Sequence, residues 1–386
     1  MRVALMAMVV EGGQPVRLSG RSLASHQLHA ALAVACERIV CLAEAPGPAL
    51  AAIQREAEAQ GAKFHAIAHH RALAGLVSAS DTLFVLAPGV LPEREWLVQA
   101  LGARAGIVVL PAEGAVEQGF ERIDRDRAWA GVLSTRGDAV EALATLPPDA
   151  DPIAGLLRVA LQRGGRCVEV PQGWLDDGRW GLLSDSKAAA RVEEHWHSRH
   201  VPPPTRCRPG EVLGHRFARW LLPRSADRAG LTPMLAIGGV GVGMAGGAVG
   251  FTGHLVIGLA LLALGTFISH VGGWLGRFAR AGTNQELPQR VFAVRDSLLD
   301  LSLIAVAASP QQFSGWIVPF VAAVLVAAVR LAREEPTPSA IQPLGDRTLV
   351  FSVLTLAAGL GAFAVSAAGL ALIGLAGRLF WPRPRG

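Results

Sequence analysis

The sequence predicts two domains of different class. Residues 1–200 read as an α/β domain, residues 231–386 as an all-α membrane domain of six helices, and residues 201–230 join them. Three observations carry this reading. The chain holds 26 basic and 25 acidic residues up to position 230, but only 10 and 6 after it. Residues 231–276 contain no Asp, Glu, Lys or Arg across 46 positions, and a single spanning helix needs about 20 apolar residues. The first 200 residues instead alternate short apolar runs with stretches of helical periodicity. At 51% hydrophobic, 17% charged and mean hydropathy +0.37, the composition excludes a single soluble globule and a disordered or fibrous chain. The formal net charge of +5 splits into +1 and +4. The larger excess sits in loops between hydrophobic segments, so no nucleic-acid partner is expected.

In the α/β domain, residues 2–10 read as a strand and 22–35 as a helix. Residues 38–42 are the next strand and 48–60 the next helix. Further strands are expected at 82–86, 107–110 and 167–170, and a final helix at 185–200. Strands alternating with helices predict a mostly parallel sheet. The apolar run 1–9 is broken by Glu11, Gly12 and Gly13, too early for a signal peptide. A cytoplasmic domain with four reduced cysteines (Cys36, Cys41, Cys167, Cys207) is therefore expected. With two Lys against 34 Arg, lysine has little room for a catalytic role.

The junction opens on Pro202, Pro203 and Pro204, a stiff linker. Residues 211–222 read as an amphipathic helix, with Arg216, Arg219 and Arg224 beside Leu213, Phe217, Trp220 and Leu221. It suits an anionic leaflet, and packing beneath the soluble domain is the other reading. Spans are expected at 233–250 and 255–275, turning at Thr252-Gly253-His254. A third begins near 291 and carries Asp296 and Asp300. A fourth ends near 329 after the turn Ser309-Pro310-Gln311-Gln312. Two more share residues 348–381, divided near Ser366. Six spans are expected, with five as the fallback. Arg277, Arg280 and Arg290, then Arg330, Arg333 and Arg347, then Arg378, Arg383 and Arg385 occupy alternate loops and the tail. The turns near Gly253, Pro310 and Ser366 hold no Arg or Lys. That asymmetry predicts a multi-pass protein of the inner (cytoplasmic) membrane with both termini cytoplasmic.

The first strand runs into Glu11-Gly12-Gly13-Gln14-Pro15-Val16-Arg17, then Arg21-Ser22-Leu23. Glycines after a strand let backbone amides approach a phosphate, and a plain strand–helix turn is the other reading. The stretch resembles the first loop of the nucleotidyltransferase branch of the Rossmann-type GT-A fold. There a Gly-rich turn, an Arg and a Lys-Pro-Leu segment hold a nucleoside triphosphate. The resemblance implies nucleotide binding by Gly12, Gly13, Arg17 and Arg21, with Arg21 where the family has Lys. Residues 81–91 resemble the strand that delivers the family's metal-binding Asp. Pro88 stands at that position and cannot bind Mg²⁺. Residues 120–124 and 128–131 look like an internal segment of the same group, although Glu121, Arg122 and Asp124 also read as a surface ion-pair group. A surviving fold with weak or absent nucleotidyl transfer follows.

In the membrane half, Leu231-Thr232-Pro233, Gly272-Gly273-Trp274-Leu275-Gly276-Arg277, Asp296-Ser297-Leu298-Leu299-Asp300 and Gly345-Asp346-Arg347 together resemble the CDP-alcohol phosphatidyltransferase family. Its pattern is D-G-x2-A-R-x8-G-x3-D-x3-D. The resemblance implies Mg²⁺ held by Asp296 and Asp300, Asp300 also as catalytic base, and phosphate held by Arg277 and Arg280. It also implies a membrane lipid and a CDP-activated alcohol or nucleotide as partners. The i, i+4 spacing puts both aspartates on one helix face. Gly272 replaces the first Asp of the pattern, and the loop before Asp296 is longer than the family's. Ion pairing of the two aspartates with Arg277, Arg290 or Arg295 is the other reading. Two functions follow: a CDP-alcohol phosphotransferase, or a non-catalytic relative serving as a binding, scaffold or regulatory subunit, paired with a second copy or an active homologue. Gly241, Gly243 and Gly246 match a dinucleotide fingerprint but lie in a span, where glycines serve helix packing. His195, His197, His200 and Cys207 lack zinc spacing.

Overall fold

In the computed structural model the residues described are all but 44, 146, 148–149, 226–229, 282–288, 312–314, 335–338 and 381–386. Arg383 and Arg385 of the basic tail and Gln312 of the turn after the third expected span therefore lie outside the described residues. The chain divides into two units, Met1–His200 and Val201–Gly386.

The first unit is built on a seven-stranded sheet. Its strands are β1 (Arg2–Ala7), β2 (Arg38–Leu42), β3 (Lys63–Ile67), β4 (Thr82–Leu86), β5 (Gly106–Pro111), β6 (Arg127–Arg136) and β7 (Cys167–Glu169). They lie in the order β7-β5-β6-β4-β1-β2-β3. All neighbours pair parallel except β6, which runs antiparallel to both β4 and β5. Val3, Ala4, Leu5 and Met6 of the central β1 are fully buried, as a strand covered on both faces requires. The helices are α1 (Leu23–Ala33), α2 (Pro48–Ala59), α3 (Arg94–Leu101), α4 (Pro152–Gln162) and α5 (Ser186–His200). Ser22 caps α1 by accepting from the Ser25 amide, and Asp151 caps α4 by accepting from the Ile153 amide.

Two strands escape the sequence reading. β3 is the edge strand, and its Lys-Phe-His-Ala-Ile run is too polar to stand out. β6 is buried along most of its length but carries Gly131, at φ 80°, where the pairing with β5 slips out of register. A Cβ there would lie 2.9 Å from Val90 Cγ2, so the bulge needs glycine. The four cysteines are free. Burial pushes the Cys36 and Cys41 thiols up to about 12, which leaves both protonated and unreactive.

The second unit is helical: α6 (Pro209–Ser225), α7 (Leu231–Phe251), α8 (Leu255–Arg280), α9 (Gln289–Ala307), α10 (Ile317–Leu331), α11 (Arg347–Gly359) and α12 (Phe363–Phe380). Among the described residues three of these, α7, α8 and α12, are long and apolar enough to cross a membrane, which marks the unit as membrane-associated. α10 and α11 have 15 and 13 residues; at about 1.5 Å per residue they are shorter than a hydrocarbon core of about 30 Å. α9 is interrupted by Arg290, Arg295, Asp296 and Asp300. The last two helices part at Gly361 rather than at Ser366. Gly361 takes φ 72° and the Ala362 amide turns back to the Ala357 carbonyl, a glycine helix stop.

α7 and α8 meet through glycines. A Cβ on Gly246 would fall 2.6 Å from the Gly258 carbonyl oxygen, and one on Gly258 would fall 2.6 Å from the Gly250 nitrogen. Gly246, the last glycine of the fingerprint-like run, is thus a helix contact of the kind small residues make in membranes.

Candidate functional site

α9 presents Asp296 and Asp300 one turn apart, and arginines from three helices or their ends close on them. Arg347, the first residue of α11, is 2% exposed. It donates from Nε to Asp300 Oδ1 (2.8 Å), from Nη2 to Asp300 Oδ2 (2.9 Å) and from Nη1 to Asp296 Oδ2 (3.0 Å). Arg330, at the end of α10, donates from Nε to Asp300 Oδ2 (2.8 Å) and from Nη2 to Ser297 Oγ (3.0 Å). Arg333 bridges Asp296 Oδ2 (2.7 Å) and Glu211 Oε1 (2.8 Å). Arg295 completes the set with two bonds to Asp296 Oδ1, at 2.9 and 2.7 Å. Every oxygen of the two aspartates thus accepts from a guanidinium. Paired and buried charges of this kind are held tightly because separating them leaves one uncompensated.

The metal and base candidates, Asp296 and Asp300, are therefore brought together, with arginines as their neighbours. Among the described residues no group of three or more His, Cys, Asp or Glu gathers around a point where a metal ion could sit. Position 272, where the family's first Asp would stand, is filled by backbone. A Cβ there would lie 2.5 Å from the Ala236 nitrogen and 2.9 Å from its Cα. Gly273, one residue on, is open: its Cβ would meet only Arg295 Nη1, at 3.7 Å.

The two phosphate candidates differ in setting. Arg280 lies back over Gly276, whose Cβ would be 2.5 Å from Arg280 Nη2. Arg277 stacks on Trp274, with its guanidinium carbon 4.5 Å from the ring centroid, and reaches Phe292 at 6.0 Å. Among the described residues no carboxylate pairs with it. Arg277, Arg295 and Arg333 share a small recess of about 40 Å³ with His270, Trp274 and Phe292.

Asp346 is 0% exposed and serves two helix starts. It accepts from the amides of Thr348 (3.0 Å) and Leu349 (3.3 Å) of α11, and from those of Gly210 (2.5 Å) and Glu211 (3.3 Å) of α6. Burial raises its carboxyl above the usual range, although the backbone donors act against that. α6 is thereby pinned to the bundle. Its inner face sets Gly214 against His270 and stacks His215 edge-on to Trp274 at 4.9 Å. Leu213, Phe217 and Trp220 on its outer face remain 46–55% exposed.

The nucleotide candidates lie in the first unit. Gly12 and Gly13 (φ 57° and 80°) form the turn of a short hairpin, Val10–Glu11 against Gln14–Pro15. Gly13 borders a cavity of about 690 Å³ at the carboxyl ends of β1 and β2, lined also by Met8, Leu42 and Pro48 and by no described charged side chain. Arg17 donates to the Gly20 carbonyl at 3.3 Å. Arg21 bonds His29 Nε2 (3.2 Å) and pairs with Glu56 (3.3 Å). Neither arginine lines the cavity. Burial opposes ionisation of Glu56, but hydrogen bonds from His29 and Ser25 and the charge of Arg21 outweigh it and hold the carboxyl below its ordinary value. His197 Nε2 lies 2.8 Å from Ser19 Oγ, and His200 stacks on Trp196 at 3.9 Å.

Sequence reasoning located the aspartates and missed most of their partners. Arg330 and Arg333 stood out only as loop charges, Arg347 as a loop charge and as the end of the Gly345-Asp346-Arg347 motif, and Glu211 only as the start of an amphipathic helix. Compared with protein-family models and with characterised proteins, the chain matches none of either.

Proposed function

We propose that the second unit is a membrane-embedded, non-catalytic relative of the CDP-alcohol phosphotransferases, acting as a binding, scaffold or regulatory subunit in phospholipid headgroup synthesis. The observation that carries this reading is the occupation of all four Asp296 and Asp300 oxygens by guanidinium donors. A divalent cation needs those oxygens as ligands, and a general base needs one of them free to take a proton. The closed packing at Gly272 supports the same reading, since a family-type Asp has no room there.

The transferase reading keeps one observation in its favour. Asp296 and Asp300 lie on one helix face beside a recess lined by Arg277, the arrangement a metal-held pyrophosphate would need. In that reading Asp296 and Asp300 hold Mg²⁺, Asp300 takes the proton of the attacking hydroxyl, and Arg277 and Arg280 hold phosphate. The arginines would have to release both aspartates first.

The six helices α7 to α12 are read here as six crossings of the inner membrane with both termini cytoplasmic; what supports this is the confinement of Arg to alternate loops and the tail and the three helices long and apolar enough to cross. The first unit is a GT-A-like nucleotidyltransferase relative that no longer turns over a triphosphate. The absence of a charged side chain among the described residues lining its large cavity and the engagement of Arg21 by Glu56 support this. The partner is a second copy or an active homologue. Release of CMP from CDP-alcohol donors by the purified full-length chain tests the assignment. No release by folded protein is expected. Release that Asp296→Asn and Asp300→Asn both abolish would establish the transferase instead.

A further inference from the structure

A second cavity of the first unit, about 570 Å³ in volume, belongs to none of the sites above. It shares no lining residue with the cavity at the carboxyl ends of β1 and β2. One face of α5 forms a wall, with Ala188, Arg191, Val192 and His195 at helical spacing. The turns at residues 116–119 and 172–178 contribute Glu117 and Asp176. Among the described residues the side chains of Glu117, Asp176, Arg191 and His195 have no hydrogen-bond or ion-pair partner. Elsewhere in this unit charges pair closely: Arg127 with Asp124 and Arg163 with Asp138, each at 2.6 Å. Here two carboxylates and a guanidinium border one space and do not meet.

The turns that carry the carboxylates are held by their own backbone. The Gln118 and Gly119 amides donate back to the Ala115 and Val116 carbonyls, at 3.1 and 3.0 Å. The Asp177 and Gly178 amides close the other turn on the Gly173 and Leu175 carbonyls, at 2.9 and 3.1 Å. Trp180, which follows that turn, is 0% exposed and donates from Nε1 to the Ala130 carbonyl of β6 at 2.8 Å, so the turn is anchored to the sheet. A Cβ on Gly178 would lie 3.3 Å from Val192 Cγ1 and 3.4 Å from His195 Cβ, so the turn rests directly on the α5 wall. Opposite charges placed around a gap before binding reduce the ordering cost of a ligand that bridges them. The volume falls within the range of small-molecule sites, about 300–1,000 Å³, and Leu182 and Val192 add apolar surface.

We propose that this cavity binds a small dipolar molecule, with an ammonium group at one end and an anionic group at the other. Arg191 offers a planar fork of N–H donors to a carboxylate or a phosphate, and His195, one turn on, adds a ring N–H. The carboxylates of Glu117 and Asp176 are acceptors only, which suits the N–H donors of an ammonium group. The apolar surface of Leu182 and Val192 takes the short chain between the two ends. A nucleoside triphosphate is a poor occupant, because it brings several negative charges against two carboxylates and one guanidinium. The inference rests on the first unit alone and not on any transfer by the second.

The test measures binding to the purified full-length chain in detergent micelles by isothermal titration calorimetry. The dipolar probes are 4-aminobutyrate and O-phosphoethanolamine, and the single-charge probes are ethanolamine and butyrate. Wild type is expected to bind at least one dipolar probe roughly tenfold or more tighter than either single-charge probe, the scale of one additional charge-assisted hydrogen-bonded contact. Preference for 4-aminobutyrate identifies a carboxylate at the anionic end, and preference for O-phosphoethanolamine identifies a phosphate. Arg191→Gln is expected to weaken dipolar binding by the same factor, as is the double variant Glu117→Gln with Asp176→Asn. Both should keep the wild-type melting temperature, because these side chains are exposed. Arg158→Gln removes an equal charge from an exposed position of α4 and should leave binding unchanged. No binding of either dipolar probe by folded wild type, equal affinity for dipolar and single-charge probes, or equal affinity of Arg191→Gln and Arg158→Gln overturns the proposal.

Discussion

Arg347 holds Asp300 through two parallel bonds, Nε to Oδ1 at 2.8 Å and Nη2 to Oδ2 at 2.9 Å, with both residues almost completely buried. The pair sits where α11 begins and α9 passes, so it fastens two helices that are 47 residues apart in sequence. Removing Arg347 leaves the buried Asp300 with one guanidinium, that of the half-exposed Arg330, and leaves its Oδ1 without a donor. Arg347→Met is expected to destabilise the bundle by about 3–5 kcal/mol, and the double variant Arg347→Met with Asp300→Leu to recover most of that loss. Thermal unfolding in detergent measures both. Equal stability of the single and double variants would show that the pair does not fasten the helices.

Position 272 separates a missing ligand from a filled place. Gly272→Asp is expected to lower the melting temperature sharply, because its Cβ would meet the Ala236 backbone at 2.5 Å and overpacking at a helix contact costs about 1–3 kcal/mol or more. Gly273→Asp should be tolerated, since only Arg295 Nη1 lies within reach, at 3.7 Å, and that neighbour is cationic. Comparable stability of the two variants would mean that the helices can part at position 272.

Much of the fold is legible in the sequence where apolar runs are unbroken. β2 and β4 coincide with the expected ranges because Arg38–Leu42 and Thr82–Leu86 are compact, largely buried and each preceded by an acidic residue, Glu37 and Asp81. β6 is hidden by the glycine its bulge requires, and β3 by the polarity an edge strand tolerates. The candidate site is legible only in half. Asp296 and Asp300 announce themselves by one-turn spacing inside an apolar stretch. Their partners Arg330, Arg333 and Arg347 come from 30 to 51 residues downstream, and no local spacing encodes such a pairing. Arg295 was visible because it is adjacent. Arg277, an expected partner of the aspartates, turns to Trp274 instead.

The first unit carries its own pH response. His26 is buried, edge-on to Trp196 at 5.3 Å, and pairs through Nε2 with the Leu18 carbonyl at 3.1 Å. Burial pushes it down from 6.5 to about 4. Its contribution to stability is therefore complete above pH 6.5 and is lost as pH falls towards 4, because the unfolded chain takes up the proton first. The loss is on the order of 3 kcal/mol. Hydrogen exchange of α1 peptides in the full-length chain should accelerate across that window. His26→Gln should flatten the response. An unchanged pH profile in His26→Gln would place the effect elsewhere.

The charge asymmetry of the loops makes a topological prediction. Reporter fusions at Gly386 and in the turn near Pro310 should report opposite sides of the membrane, with Gly386 cytoplasmic. The same side at both positions would contradict six crossings.

Binding of Mn²⁺, a stand-in for Mg²⁺ that electron paramagnetic resonance detects directly, tests the occupation of Asp296 and Asp300 by arginine. The purified full-length chain should leave the free Mn²⁺ signal unchanged at neutral pH, and so should Asp296→Asn, because arginines already hold both carboxylates. One bound Mn²⁺ per chain in the wild type, lost in both Asp296→Asn and Asp300→Asn, would contradict the account and return the pair to catalysis.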